Sequence, residues 1–320
     1  LTIINDSKST SFASSENILR NFNDIYWILG GIPKKDDKFK LSKNECKNFK
    51  AFIFGKYHKQ FCKILGNRIK VKKNSLKTTI LGAGSNTLVR DKGVKGAVIK
   101  LGPNFSYTKL IKNNIIEVGA ATLDRKVANF AKDNNIASFE FLACIPGSIG
   151  GAITMNSGCY DNDISKILLS IKVIDKNDLV EKEIKKKDIK FLYRGTNLAK
   201  NLIIISANFE GLNGNKKEIE IKQANLVAKK KLSQPNQIKT CGSTFKNINE
   251  HKKAWMLIKE AQCHTFKVGD AIISPKHCNF FVNNGKANSV DIENLINKVK
   301  NEVYKKTGVN LELEIKIVGE

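Results

Sequence analysis

Arginine is scarce in this chain, occurring only at Arg20, Arg68, Arg90, Arg125 and Arg194, although Lys and Arg together make up 55 of its 320 residues. Bidentate recognition of phosphates and base edges relies on arginine, and the lysines are spread along the whole chain rather than gathered in one tail or helix. The formal charge of +25 therefore gives general attraction and steering for anions but argues poorly for a nucleic-acid binder. Abundant Lys, Asn and Ile beside scarce Arg reads as coding bias. No apolar run approaches the ~18 residues of a membrane-spanning helix, so no membrane insertion is expected. The Ser/Asn-rich N-terminus has no hydrophobic block behind a basic start, which argues against a secretory signal. The seven cysteines follow no framework spacing, as expected in a reducing cytoplasm. No C-x-x-C accompanies Cys263-His264 or His277-Cys278, and adjacent residues rarely aim at one metal, so no metal site is expected.

What is present centres on Glu140 to Tyr160, which carries Gly147, Gly150, Gly151 and Gly158 with Pro146 and has no charged residue between Glu140 and Asp161. In a chain otherwise rich in charge, such a segment suits backbone that passes close to something bulky, because glycine has no Cβ and tolerates positive φ. A buried, tightly packed turn is the plainer alternative. A second small-residue loop, Gly82-Ala83-Gly84-Ser85-Asn86, follows the β-type run Thr78 to Leu81. Its backbone N–H groups form a nest suited to a phosphate or pyrophosphate. It lacks the third glycine of the dinucleotide fingerprint, Thr87 standing there instead.

Taken in order, residues 1–22 read as a disordered leader and Ile25 to Leu29 as a strand. Cys46 to Phe54 reads as a helix within a lysine-rich region. Gly96 to Leu101 and Ile115 to Gly119 read as strands, and Leu123 to Asn134 as a helix with Val127 and Phe130 inward. Ile167 to Ile174 and Leu202 to Phe209 are further strands. Arg194 follows Phe191-Leu192-Tyr193, a partly buried setting where a guanidinium answers a carboxylate or phosphate, or makes a structural salt bridge. A helix over Glu218 to Leu232 brings Lys229, Lys230 and Lys231 to a third small-residue loop, Gly242-Ser243-Thr244-Phe245-Lys246-Asn247. Ala254 to Ala261 and Ser289 to Lys306 read as helices, and Phe280 to Val282 as a strand. In the last strand, 310–318, Leu311, Leu313, Ile315 and Ile317 share one face, so Glu312, Glu314 and Lys316 share the other.

These loops, with Ile145 to Ala152, Met155 to Gly158, Tyr193-Arg194 and the run Lys276 to Phe280, resemble the UDP-N-acetylenolpyruvoylglucosamine reductase family in its shorter form. These are NADPH-dependent flavoenzymes of bacterial peptidoglycan precursor synthesis, also called UDP-N-acetylmuramate dehydrogenases. The resemblance implies an α+β class: an FAD-binding PCMH, or vanillyl-alcohol-oxidase-type, fold of two subdomains (about 23–80 and 81–213), plus a C-terminal α+β substrate-binding domain (214–320). It implies FAD as cofactor, held by Gly82, Ala83, Gly84, Ser85, Asn86, Pro146, Gly147, Ser148, Gly150, Gly151, Asn156 and Gly158. Hydride from FAD N5 is implied to reach C3 of UDP-N-acetylglucosamine enolpyruvate while Ser243 protonates C2. Arg194 and Glu314 are implied beside the substrate carboxylate, and Lys231, Lys246 and Asn247 on the nucleotide sugar. The implied partners are NADPH and that sugar nucleotide, with no nucleic acid, no membrane and a monomeric or weakly oligomeric state. Cys144 departs from the family's usual glycine, Ile248 from its proline and Lys316 from its arginine. The competing readings are another FAD-dependent oxidoreductase of the same fold and a basic, non-catalytic phosphate- or RNA-binding protein.

Overall fold

The computed structural model describes residues 11–53, 57–71, 77–176 and 178–320. The chain divides into two units, one reaching Lys77 and including Asp175–Val180, the other made of Thr78–Ile174 and Glu181–Glu320.

The first unit is built on aromatic residues. A parallel sheet pairs Ile25–Leu29 with Phe49–Ile53, and the latter with Lys70–Val71. Helices Phe12–Leu19 and His58–Leu65 belong to the same unit. Phe12 meets Trp27, Phe39 and Phe61 edge-on at 5.6–6.0 Å, a geometry favoured by ring quadrupoles. Two expectations need correction. The expected leader reaches into an ordered helix, because Ser11 caps its start by accepting from the Ser14 N–H and Phe12 and Leu19 are buried. Residues 1–10 lie outside the described residues. The expected helix over 46–54 is instead the strand Phe49–Ile53: Phe49 and Ala51 are buried at a spacing of two, so pairing with Ile25–Leu29 hides one face.

The second unit carries the glycine loops. Its five-stranded sheet runs Glu181–Lys185, Leu168–Asp175, Leu202–Glu210, Ile115–Gly119, Thr108–Lys112 in spatial order. Ile116, Val118, Ile171, Val173, Ala207 and Phe209 pack from this sheet onto Val127, Ala128 and Ala131 of the Asp124–Asp133 helix and onto Ile149 and Ile153. Thus the sheet and that helix fix both ends of the glycine-rich segment. Within the same unit, an antiparallel sheet places Thr240–Ser243 beside Phe280–Asn283, then Ala271–Ile273 and Lys267–Val268. Helix Ser289–Thr307 covers it with Leu295, Ile296, Val299 and Val303. An Asn288–Asp291 capping box starts this helix, and Gly308, at φ 68°, ends it.

The last strand is shorter than its hydrophobic alternation suggests. Only Lys316–Val318 forms a ladder, parallel to Thr87–Val89. Before it, the Lys246 N–H donates to the Glu312 carbonyl and the Glu314 N–H to the Thr244 carbonyl, both at 2.9 Å. Residues 312–314 are thereby committed to the Ser243 loop instead of a longer ladder. Glu312 is exposed and Glu314 is not, although the two were expected on one face.

Candidate active site

The Gly82–Ser85 loop lies between strands Thr78–Ile80 and Thr87–Val89. The backbone amides of Gly82, Ala83, Gly84 and Ser85 donate to no other described residue, and Gly84 sits at φ 80°. A Cβ on Gly82 would come within 2.8 Å of Ser148 Oγ, so this loop is pressed against the Pro146–Gly151 turn. Amides left without a partner among the described residues, on a loop of small residues, suit an anion nest.

The other end of this loop is tied to the chain's C-terminal part. Asn86 Nδ2 donates to the Glu314 carbonyl at 3.0 Å. A Cβ on Gly242 would stand 3.5 Å from the Ser85 carbonyl oxygen. Ser243 therefore lies between a residue beside Ser85 and Thr244, whose carbonyl holds the Glu314 N–H. The Glu314 carboxylate accepts from Arg194 Nε at 2.9 Å, and both side chains are mostly buried. Arg194 also donates from Nη2 to the Gly158 carbonyl at 3.0 Å, and its guanidinium stacks 4.9 Å from the centre of the Tyr193 ring. Its Nη1 has no partner among the described residues. Burial pushes the Glu314 carboxyl above the usual carboxylate range, with Arg194 pulling the other way.

Arg194 holds this place from the left-handed region, φ 57°, on the turn between paired segments Phe191–Leu192 and Gly195–Thr196. Asn156 braces that hairpin by donating from Nδ2 to the Leu192 carbonyl at 3.3 Å. Gly158 must be glycine, because a Cβ there would stand 2.2 Å from the Asn162 carbonyl oxygen.

Comparison with known proteins gives the arrangement a family. Residues 234–318 match the model for the UDP-N-acetylenolpyruvoylglucosamine reductase C-terminal domain, and residues 69–182 match an FAD binding domain. The chain is 49% identical over 244 residues to the UDP-N-acetylenolpyruvoylglucosamine reductase of Pelagibacter ubique, covering 76% of this chain and 80% of that protein. The chain belongs to the UDP-N-acetylenolpyruvoylglucosamine reductase family. The enzyme of that name from Orientia tsutsugamushi (strain Ikeda) is 42% identical, over 77% of this chain and 82% of its own length. A crystal structure of UDP-N-acetylenolpyruvylglucosamine reductase (MurB) from Thermus caldophilus superposes with a TM-score of 0.68 at 30% identity, covering 77% of this chain and 87% of that one.

The fold class expected from sequence agrees with these matches. As a member of the reductase family, the chain is an oxidoreductase with an FAD-binding domain. Its residues fit that cofactor: the partnerless amides and the crowding at Gly82 provide a backbone surface for an anionic pyrophosphate. No helix among the described residues is long and apolar enough to cross a membrane, and no His/Cys/Asp/Glu cluster among them could hold a metal ion.

Of the sequence-derived candidates, Asn86, Gly158, Arg194, Ser243 and Glu314 come together. Lys246 pairs with Glu312 at 3.3 Å. Asn247 Oδ1 accepts from the Ala254 N–H at 3.1 Å, satisfying the start of the Ala254–Glu260 helix. Lys231 is exposed, and its carbonyl accepts from Lys276 Nζ at 2.5 Å. Lys230, which sequence reasoning passed over, reaches inward and donates from Nζ to the Cys144 carbonyl. Helical phase carries the signal for it: Lys230 lies seven residues, about two turns, beyond Gln223, which is buried and donates to the Ala128 carbonyl. A separate cavity of about 380 Å³, lined by Leu88, Cys241, Phe281 and Ile292 among others, does not include Arg194, Ser243 or Glu314.

Proposed function

We propose that this site reduces UDP-N-acetylglucosamine enolpyruvate to UDP-N-acetylmuramate with electrons from NADPH, and that Arg194, Ser243 and Glu314 act on the enolpyruvyl group. The observation that carries the reading is the Arg194–Glu314 pair, fixed at 2.9 Å beside the loop that presents Ser243. FAD, held by Gly82–Asn86 and Pro146–Gly151 with Asn156 and Gly158 bracing the pocket, supplies hydride transfer when bound.

Hydride addition at C3 of the substrate leaves negative charge at C2 and on the neighbouring carboxylate. Arg194 is preorganised for that charge. Two of its nitrogens are engaged by Glu314 and Gly158, which holds the guanidinium plane and leaves Nη1 to face the substrate. Charge stabilisation of this kind needs no reorganisation during reaction. The Ser243 hydroxyl donates the proton at C2. Serine is a weak acid unaided, so its neighbours must tune it, and Glu314, buried and pushed upward, is a less repulsive companion for developing negative charge than an exposed carboxylate. Lys231 and Lys246 supply cations for the diphosphate of the nucleotide sugar. The free thiols of all seven cysteines support a reducing cytoplasm as the place of reaction, with the chain acting as a monomer or weak oligomer.

The test is a visible absorption spectrum of the purified protein, repeated after anaerobic NADPH and again after the enolpyruvyl sugar nucleotide. Flavin bands should bleach with NADPH and return with the substrate. A colourless protein that takes up no added FAD would sink the reading. In Ser243→Ala the first change should survive while the second slows by ~100-fold or more, the scale of a general acid's contribution. Equal loss of both would remove Ser243 from the proton-donor role.

A further inference from the structure

The run Lys276 to Phe280 has no part in the chemistry assigned to Arg194, Ser243 and Glu314, yet it reaches the loop that presents Ser243. Ser243 ends the strand Thr240–Ser243 and pairs there with Phe280 of the neighbouring strand. Before Phe280 the chain is a turn, so the ladder stops at this pair. Thr244 and Phe245, the next two residues of the loop, need other partners for their backbone groups.

Asn279 supplies them. The Thr244 N–H donates to its carbonyl at 2.8 Å. Its side chain then closes on both backbone groups of Phe245: the Phe245 N–H donates to Oδ1 at 2.9 Å, and Nδ2 donates to the Phe245 carbonyl at 2.8 Å. A primary amide offers an acceptor on one side and donors on the other, and this orientation alone satisfies both groups. Thr244, Phe245 and Asn279 are all buried, which raises the cost of losing any of these bonds. Asn279 is held in turn, because its N–H donates to His277 Nδ1 at 3.2 Å. Burial keeps the pKa of the His277 ring low, which leaves that nitrogen free to accept.

The far side of the loop is fixed independently. The Glu314 N–H donates to the Thr244 carbonyl and the Lys246 N–H to the Glu312 carbonyl. Asn279 therefore braces one side of Thr244-Phe245 while the segment carrying Glu314 braces the other. The Ser243 hydroxyl, by contrast, has no hydrogen-bond partner among the described residues. Its place relative to the Arg194–Glu314 pair is set by this backbone.

We propose that Asn279 is a positioning residue for the reaction: by pinning Thr244 and Phe245 it aims the Ser243 hydroxyl at the reacting carbon, without touching substrate itself. The inference rests on the reading of Ser243 as proton donor. A donor displaced by a fraction of an ångström loses rate at the proton-transfer step, and neither flavin reduction nor substrate binding depends on that displacement.

The test compares the FAD-loaded parent with Asn279→Ala, which removes both side-chain bonds, and with Asn279→Asp, which keeps the shape and the acceptor and sets an oxygen against the Phe245 carbonyl. Rapid-mixing absorbance follows flavin bleaching by NADPH and its return with the enolpyruvyl sugar nucleotide. In both variants the return at saturating substrate should slow at least ~10-fold, while bleaching by NADPH and the half-saturating substrate concentration stay within about twofold of the parent. Amides of residues 244–246 should also exchange with deuterated water faster than in the parent. The proposal is overturned by return at the parent's rate, by slowed return with unchanged amide exchange, or by equal slowing of both half-reactions. Variants that no longer hold FAD would overturn it too, since Asn279 would then serve the fold alone. A parent that the enolpyruvyl sugar nucleotide fails to reoxidise removes the functional reading and this inference with it, whereas a competent parent matched by its variants removes Asn279 alone.

Discussion

At the scale of single residues, Asp124 carries the clearest unspent electrostatic cost. It begins the Asp124–Asp133 helix and is fully buried, and neither carboxylate oxygen has a hydrogen-bond partner. A Cβ on Gly147 would come within 2.6 Å of its Oδ2, which places it under the glycine-rich turn. Burial pushes its pKa up to about 8. The sign follows from proton linkage: a folded state with the raised pKa binds the proton that the unfolded chain has already released. Stability contributed by that proton is complete below the unfolded pKa near 4 and is lost as pH rises toward 8, by ~1.4 kcal/mol per pH unit. Urea unfolding of the apoprotein at pH 5 and pH 8 should show this loss, and Asp124→Asn, similar in shape and uncharged, should flatten it. An Asp124→Asn protein with the same pH slope as the parent would mean that another group binds the proton. Nothing in the residues around 124 announced this burial, because it arises where a helix start meets a turn more than 20 residues later. Arg194 and Glu314 were easier to read, since each stands among apolar neighbours that hold it near the core.

Elements decide which member of a lysine run turns inward. The sequence shows Lys229, Lys230 and Lys231 at the end of one helix, and only its rotation sends Lys230 inward and leaves Lys231 exposed. That rotation is fixed by Lys222, which pairs with buried Glu140 at 3.1 Å, and by Gln223 on the Ala128 carbonyl. Long periodic helices such as Ser289–Thr307 were legible because their apolar stripe is regular, whereas Phe12–Leu19 hid in a Ser/Asn-rich stretch with two widely spaced core residues. Asn247 poses the element-scale question directly, as the family resemblance assigns it to substrate while its Oδ1 supports the Ala254 N–H. Removing an oxygen that satisfies a helix start costs ~1 kcal/mol, so Asn247→Ala should lower the unfolding free energy by about that amount. With that oxygen committed to the helix, KM for the sugar nucleotide should change less than about twofold. A large rise in KM with unchanged stability would return Asn247 to the substrate.

The whole molecule is dominated by its charge of +25, which the site itself does not explain, since Arg194 is already neutralised by Glu314. The proposed ligands, NADPH and a nucleoside diphosphate sugar, are both polyanions, and a uniformly basic chain accelerates their encounter over distances set by the Debye length. That length falls from ~30 Å at 0.01 M salt to ~8 Å at 0.15 M. If the excess lysines act by steering, kcat/KM for both ligands should fall several-fold across this range while kcat stays nearly constant, because screening weakens arrival and leaves the buried Arg194–Glu314 pair intact. A nucleic-acid binder of the same charge predicts something else: retention of generic DNA or RNA that falls off steeply with salt, and no salt effect specific to the two substrates. Initial rates in a salt series, with kcat and KM fitted separately for each ligand, therefore separate steering from a charge carried for other reasons. A flat kcat/KM would assign the excess lysines to solubility and leave Lys231 and Lys246, with Arg194, as the basic side chains with a direct claim on the reaction.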